Sequence, residues 1–544
     1  MNDSLLIHYD NSPLVSGFQN SIKFNPSVEE LNNSDIDTFI SNKIIPELQN
    51  KDFKIIFIKD TLSDNYIDFY GLILAYHIRL SSSILKEKSF VPIIILSDIN
   101  ELLINKLTYL GKIFFTKNIF LIKNSYESIP YIKSLNLKPL TSIEYNNKFL
   151  NLINIHPPQD YLSHHDIANE WSIYRWGEFL KVDSESIINN KEKISSMLYF
   201  KYLVSKYPLP KKTALSFAPK VPLNEGNILY IDDEWDKGWS DILDKYFALS
   251  DNINFNTFEY EYKDKNKFTI LKDIKEKIYL KIPDIVILDL RITQNDHTDI
   301  EIDSITGIKL INLIKSINKG IQIIMLTASN KSTILEKLYE YGILGYIKKE
   351  HPEDINLATK ENILKLKNLI DKGFQKKYLK NVWSLQEDIL RLKLLEKVEY
   401  IQIKLSLESI FEIVDSSMIN KFNFIVLTFT KILEEISNIY INQDTMLYRN
   451  NNEEVGVYSL DDNLVYDYDN EKWHKSIQNR LNNIAYEKLD LKDKHTHNNI
   501  RTLIKCRNNI AHPKDESNFI KNPDSDDILE WLKLIKIILE KMNL

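Results

Sequence analysis

Residues 283–290 read PDIVILDL: a proline, an aspartate, an unbroken apolar run, then a carboxylate at Asp289. A run this short, β-branched and bounded by proline has the character of a strand buried on both faces, as in a parallel sheet. Its neighbours repeat the pattern. NILYIDDE (227–234), INFNTFEY (253–260), IQIIMLT (321–327) and LGYIKK (344–349) are further apolar runs. Between them DILDKYFAL, ILKDIKEKI and GIKLINLIKSI space apolar residues by three and four, the helical period. Alternation of this kind predicts a doubly wound α/β domain with five parallel strands, and a site beyond their carboxyl ends.

Those ends carry Asp232 and Asp233 on the first strand, Asp289 on the third, Thr327 on the fourth and Lys349 on the fifth. Three carboxylates gathered at one edge repel unless a hard divalent cation screens them, and Mg²⁺ suits a few carboxylates plus water. Asp289 would then attack phosphorus, with the Thr327 hydroxyl and the Lys349 ammonium on the phosphoryl oxygens. Taken singly, an acidic pair is usually a loop or cap and a lysine usually surface. All five in strand order form a stronger signal.

ILYIDDE, PDIVILDL, LTAS and GILGYIKKE together resemble the receiver domain of two-component response regulators. The resemblance implies Mg²⁺-dependent transfer of a phosphoryl group from the phosphohistidine of a histidine kinase, or from another phosphodonor, to Asp289. It also implies that Thr327 and Tyr346 move on phosphorylation, and that the backbone carbonyl of Arg291 joins Asp232, Asp233 and Asp289 around the metal. Lys349, three positions after Tyr346, matches the family's lysine better than Lys348. Two departures stand out. Gly307 follows Asp289 by 18 residues, because TQNDHTDIEIDS is inserted, and Glu350 stands where the family usually has proline. The acidic insertion reads either as a shield or partner site over the pocket or as a tolerated surface loop.

The front of the chain repeats part of this plan. IIFIKD (55–60), Gly71 opening a helix, VPIIILSD (91–98) and FFTK (114–117) resemble the third to fifth strands, with Ser97 and Lys117 where Thr327 and Lys349 fall. SLLIHYDNSP has no acidic pair like Asp232 and Asp233, so a degenerate receiver-like docking domain is expected. HHDIANEW (164–171) faintly resembles the histidine box of sensor kinases at His165, but without ATP-binding glycine boxes an ordinary helix is the better reading. His495 and His497 suggest a metal only weakly, and polar surface accounts for them.

After about residue 370 the helical period dominates, and DNLVYDYDNEKW (462–473) reads as a loop between helices. Near the end stands CRNNIAHP (506–513). On a helix Asn508 and His512 share a face, Arg507 can reach round to it, and Pro513 places His512 at the helix end, where the imidazolium is favoured. Metal-free RNA cleavage needs a proton carrier and a cation for the charge-rich phosphorane, which histidine and arginine supply; helix capping by the same residues is the plainer alternative. An all-helical domain with RNNIAH on a late helix resembles the HEPN family over about residues 375–544. Many members are metal-independent endoribonucleases that dimerise so that two motifs face one cleft, and others only bind. The resemblance implies active positions at Arg507, Asn508 and His512, an RNA substrate, a homodimer and no cofactor at that site. Lys505, Lys514 and Arg501 would either meet phosphate or be solvated surface.

Composition limits these readings. A net charge of -7 argues against a general nucleic-acid coat, so RNA contact would have to be local. One cysteine, Cys506, excludes an internal disulfide and a cysteine zinc cage. With 12 glycines the chain has no Walker-type loop. No leader-like or membrane-length apolar run is seen, and a cytoplasmic location is expected. The expected organisation is multidomain α/β plus all-α: a degenerate receiver-like domain over 1–135, a helical connector over 136–208, a linker over 209–226, a receiver over 227–370 and a HEPN-like helical effector over 371–544. The receiver would control an endoribonuclease, in stress or phage defence; alternatively, receiver and helices form a non-enzymatic adaptor that only binds protein partners.

Overall fold

The computed structural model describes residues 3–543, leaving out 10–12, 28–35, 66, 126, 129–130, 133–136, 158–163, 209–221, 223, 298–300, 330–331, 353–358, 444–446, 451–452, 459–464, 468–470, 474–476 and 512–522, with the backbone alone over 441–476. Two five-stranded parallel sheets share one topology. The first has β1 (Ser4–His8), β2 (Asn20–Lys23), β3 (Ile55–Lys59), β4 (Ile93–Ser97) and β5 (Ile119–Lys123), ordered β2-β1-β3-β4-β5. The second has β6 (Gly226–Ile231), β7 (Ile253–Thr257), β8 (Ile285–Leu288), β9 (Gln322–Thr327) and β10 (Gly345–Lys348), ordered β10-β9-β8-β6-β7. The two lists are the same order read in opposite directions.

Alternation along the second sheet explains its continuous apolar strands. Ile228, Tyr230, Ile285, Ile287, Ile324 and Leu326 face one core, which Trp239, Tyr246 and Ile363 complete. Leu229, Ile231, Val286, Leu288, Ile323 and Met325 face the other, under helices Lys267–Lys281 and Thr306–Ile317. Both faces are covered, as a parallel sheet requires. The first sheet is less evenly covered. Among the described residues its second core holds Leu6, Phe57, Ile94 and Leu96 from the strands with Phe18 and Ile132, and Ile55, Phe120 and Ile122 pack half-buried against it; a five-residue 3-10 turn (Pro13–Gly17) stands between β1 and β2.

Helix His164–Leu180 bridges the two units: Ile167 and Trp171 join the N-terminal core, while Ile173, Trp176 and Leu180 join the core of the second sheet. Helix Leu198–Lys206, expected as connector, packs wholly into the N-terminal core. There Lys201 Nζ donates to Ser41 Oγ (2.8 Å) and contacts His77 Nδ1 (3.1 Å), and His77 Nε2 meets Asp37 Oδ1 at 2.8 Å.

Two sequence expectations are corrected. FFTK is not the fifth strand: Tyr109–Phe115 forms a 3-10 turn and the strand follows at Ile119–Lys123, so Lys117 lies outside the sheet, paired with Glu144. The apolar pair Phe114–Phe115 imitates a strand, but Phe115 is exposed. The C-terminal region is not all helix either. Its helices Tyr378–Leu390, Ile401–Asp415, Lys421–Gln443, Lys494–Ala511 and Ser525–Met542 share one core, yet Leu447–Asn450, Glu453–Tyr458, Val465–Asp467 and Glu471–Trp473 form an antiparallel four-stranded sheet, the last two strands within the stretch 462–473 expected as a loop. Most of the expected linker lies outside the described residues. Among the described residues no helix is long and apolar enough to cross a membrane.

Candidate functional site

Four of the five strands of the second sheet deliver a side chain at the carboxyl end. Asp232 follows β6, Asp289 follows β8, Thr327 closes β9, and Lys349 follows β10 with its amide bonded to the Thr327 carbonyl (2.7 Å). Lys349 Nζ lies 3.4 Å from Asp232 Oδ2 and 3.5 Å from Asp289 Oδ1, with all three side chains 1% exposed. Asp232 also accepts from the Tyr230 hydroxyl (2.7 Å) and the Glu234 amide (2.8 Å). Asp289 Oδ2 accepts from the Arg291 amide (2.9 Å), whereas Asp289 Oδ1 has no hydrogen-bond donor among the described residues.

Lys349 faces two carboxylates at nearly equal distance, yet they differ in acidity. Burial pushes both up; Lys349, the Tyr230 hydroxyl and the Glu234 amide hold Asp232 below the usual carboxylate range. Asp289 has Lys349 and only one amide, and stays above that range. Asp233 is raised by burial and then by the charges of Asp232 and Asp289. Burial opposes the Lys349 charge, but Asp232 and Asp289 hold its pKa above the ordinary lysine value. The structure therefore brings Asp232, Asp233, Asp289 and Lys349 together at one electrostatic centre.

The donor set suits a hard cation in chemistry: three acids with more negative charge than one ammonium balances, and one buried carboxylate oxygen without a donor. The side chains as they stand do not form a cage, since among the described residues no three His, Cys, Asp or Glu are arranged to hold a metal; Lys349 takes an oxygen of two of them. Thr327 Oγ1 accepts from the Ser329 amide (3.1 Å) and does not bond Asp289. Tyr346 is half-buried on β10, with the Tyr339 ring 6.1 Å away and Lys365 Nζ 4.2 Å from its centroid.

The insertion after Asp289 is built around Asp296, which is 1% exposed. Its carboxylate accepts from the amides of Ile292 (3.0 Å), Thr293 (2.9 Å) and Thr306 (3.0 Å), and pairs with Lys267 (2.9 Å). Burial pushes Asp296 up, but these donors leave it below its ordinary pKa. Ile292, Thr293 and Asn295 line a cleft of about 990 Å³ beside Asp233, with Trp235, Tyr260 and Tyr262 among the other walls. Gly307 then opens the next helix, where a Cβ would lie 2.4 Å from the Leu290 carbonyl oxygen.

The first sheet carries a reduced version of this site. The β3–β4 register sets Asp60 opposite Ser97, whose Oγ donates directly to it, whereas in the second sheet the residue opposite Thr327 is Leu290, so Lys59 and not Asp60 takes the place of Asp289. Gly71 repeats Gly307, its Cβ position 1.9 Å from the Lys59 carbonyl oxygen. On the same register His8 takes the place of Asp232, and Asn124, whose amide bonds the Ser97 carbonyl (3.2 Å), takes the place of Lys349 instead of Lys117. Asp60 was missed in the sequence because no cluster accompanied it, and its spacing of 11 to Gly71 differs from the 18 between Asp289 and Gly307.

In the C-terminal helices Arg507 Nη1 donates to Asn508 Oδ1 (3.2 Å) near the end of Lys494–Ala511, and Asn508 is exposed. His512 and Lys514 lie outside the described residues. His497 Nδ1 contacts Asn482 Oδ1 (2.9 Å) and His495 pairs with Glu530 (3.2 Å).

A family model described as the Response regulator receiver domain matches residues 297–360. One described as the Inactive Receiver domain matches residues 11–122. No curated protein matches the chain. With the shared sheet order, these matches identify two receiver-type domains in one chain, the first similar to the inactive kind.

Proposed function

We propose that the chain is a phosphorylation-controlled signalling protein in which Asp289 accepts a phosphoryl group and the C-terminal helices carry the output. The observation that carries this reading is Asp289 Oδ1, buried without a hydrogen-bond donor 3.5 Å from Lys349 at the carboxyl edge of a parallel sheet. Asp289 attacks phosphorus, the bond to the donor's imidazole nitrogen breaks, and its electron pair leaves with the imidazole. Lys349 balances charge on the new acyl phosphate, and the Thr327 hydroxyl turns to a phosphoryl oxygen. A Mg²⁺ ion held by Asp232, Asp233, Asp289 and the Arg291 carbonyl would supply neutralisation of the transferring group. The donor is a histidine kinase's phosphohistidine or another phosphodonor.

The output assigned to the helices is metal-independent RNA cleavage, in a homodimer, with Arg507 on the phosphorane, His512 as proton carrier and Asn508 beside them. Pure partner binding is the second reading. It is favoured by Met418, Ile419, Phe424 and Leu427, large apolar side chains exposed around the turn between two helices. Incubating the protein with total RNA, with and without acetyl phosphate, separates the two. Cleavage abolished in His512→Ala supports the nuclease; intact RNA under every condition, with Asp289 still phosphorylated, leaves the adaptor.

A further inference from the structure

We propose that helix His164–Leu180, which lies outside the receiver fold, completes the phosphoryl-accepting site, with Asn169 as a positioning residue for the Asp232 loop. The inference rests on the reading of Asp289 as acceptor. Asn169 is 2% exposed and bonded on both sides: its Nδ2 donates to Glu234 Oε2 (2.7 Å), and its Oδ1 accepts from Trp239 Nε1 (2.7 Å). The Glu234 amide in turn donates to Asp232 (2.8 Å). One line of hydrogen bonds therefore runs from the connector to a carboxylate that faces Lys349.

The same helix holds the other wall. Ser172 Oγ donates to the Glu350 carbonyl (3.0 Å) and Trp176 Nε1 to Glu350 Oε1 (3.0 Å), with Arg175 3.7 Å from Oε2. Glu350 follows Lys349 directly. Its carboxylate is 2% exposed and also accepts from Thr359 (3.0 Å), which leaves that stretch of backbone little freedom. A proline at this position offers no side-chain acceptor, so the glutamate is what lets the connector grip the lysine segment. The two grips fall within two helical turns, at Asn169, Ser172 and Trp176, on a face shared at i, i+3 and i+7.

Positioning of this kind predicts an effect on the transfer step itself, beyond any effect on folding. Three variants of the full chain test it: Asn169→Asp, Glu234→Gln, and the two combined. Asn169→Asp sets two acceptors against each other, and the combination restores a donor facing an acceptor with the polarity reversed. The readouts are phosphoryl incorporation from acetyl phosphate at saturating Mg²⁺, the acetyl phosphate KM, and Mg²⁺ affinity from tryptophan fluorescence.

Asn169→Asp is expected to lower the maximal rate about tenfold and weaken Mg²⁺ binding while leaving KM within about twofold, and the double variant to recover most of the rate. An Asn169→Asp protein that accepts phosphate at the wild-type rate overturns the inference and leaves the acceptor reading standing. So does a double variant no faster than Asn169→Asp, which would make Asn169 packing only. Wild-type protein that takes up no phosphate removes both.

Discussion

At Asp289 one carboxylate oxygen is fixed by the Arg291 amide and the other has no donor among the described residues, so the residue is oriented but left open at the atom proposed to react. Its acidity gives a test that needs no phosphodonor. Burial, only partly offset by Lys349, lifts Asp289 to about 7, against about 3.9 in an unfolded chain. A carboxyl with a raised folded pKa contributes stability that is complete below the unfolded value and is lost as pH rises through the folded one. In cation-free protein, Asp289→Asn should therefore raise the melting temperature more at pH 8 than at pH 5, and Mg²⁺ should stabilise wild type but not the variant. A variant no more stable than wild type at pH 8 would show that the three acids do not repel. These acids were legible in the sequence because each ends an apolar run; the Lys349 bridge was legible only through its strand position. Asn169 and Trp176 were not legible as site residues, since nothing in a helical period marks which polar residue meets a loop 65 or 174 positions away.

At the scale of elements, the glycine that opens the helix after each acceptor strand is set by close approach. Gly307→Ala would drive a methyl group into the Leu290 carbonyl and should cost about 1–3 kcal/mol, read from urea unfolding, with the loss concentrated in the helix Thr306–Ile317. An alanine variant of wild-type stability would mean that this helix shifts freely. The helices were readable from the 3.6 period, and the central strands from unbroken apolar runs, because both faces of their sheet are covered. The strands Val465–Asp467 and Glu471–Trp473 were not, being three residues each and rich in charge. The false strand at FFTK and the displaced lysine have a common cause: an apolar run too short to distinguish an exposed turn from a buried strand.

At the scale of the molecule, the receiver touches its neighbours at opposite ends of its sheet. The connector meets the carboxyl edge, while the C-terminal helices meet the loop before β9, where Asn318 Nδ2 donates to the Lys380 carbonyl and Ser384 Oγ (3.1 Å each) and Lys319 pairs with Glu412 (3.0 Å). Asn318→Ala removes two donors to the helices and the acceptor of the Gly320 amide. It should cost about 1–3 kcal/mol and speed hydrogen exchange across 378–390; unchanged exchange would show that the junction is held elsewhere. Domain order was readable from composition and period, but these contacts were not, since they join polar residues remote in sequence. The central claim is that Asp289 is the phosphoryl acceptor. Mass spectrometry of the intact chain after incubation with acetyl phosphate and Mg²⁺ should show one added phosphoryl group, mapped to Asp289 and absent in Asp289→Asn. An unmodified wild-type chain, or a phosphoryl group that persists in Asp289→Asn, would contradict the account.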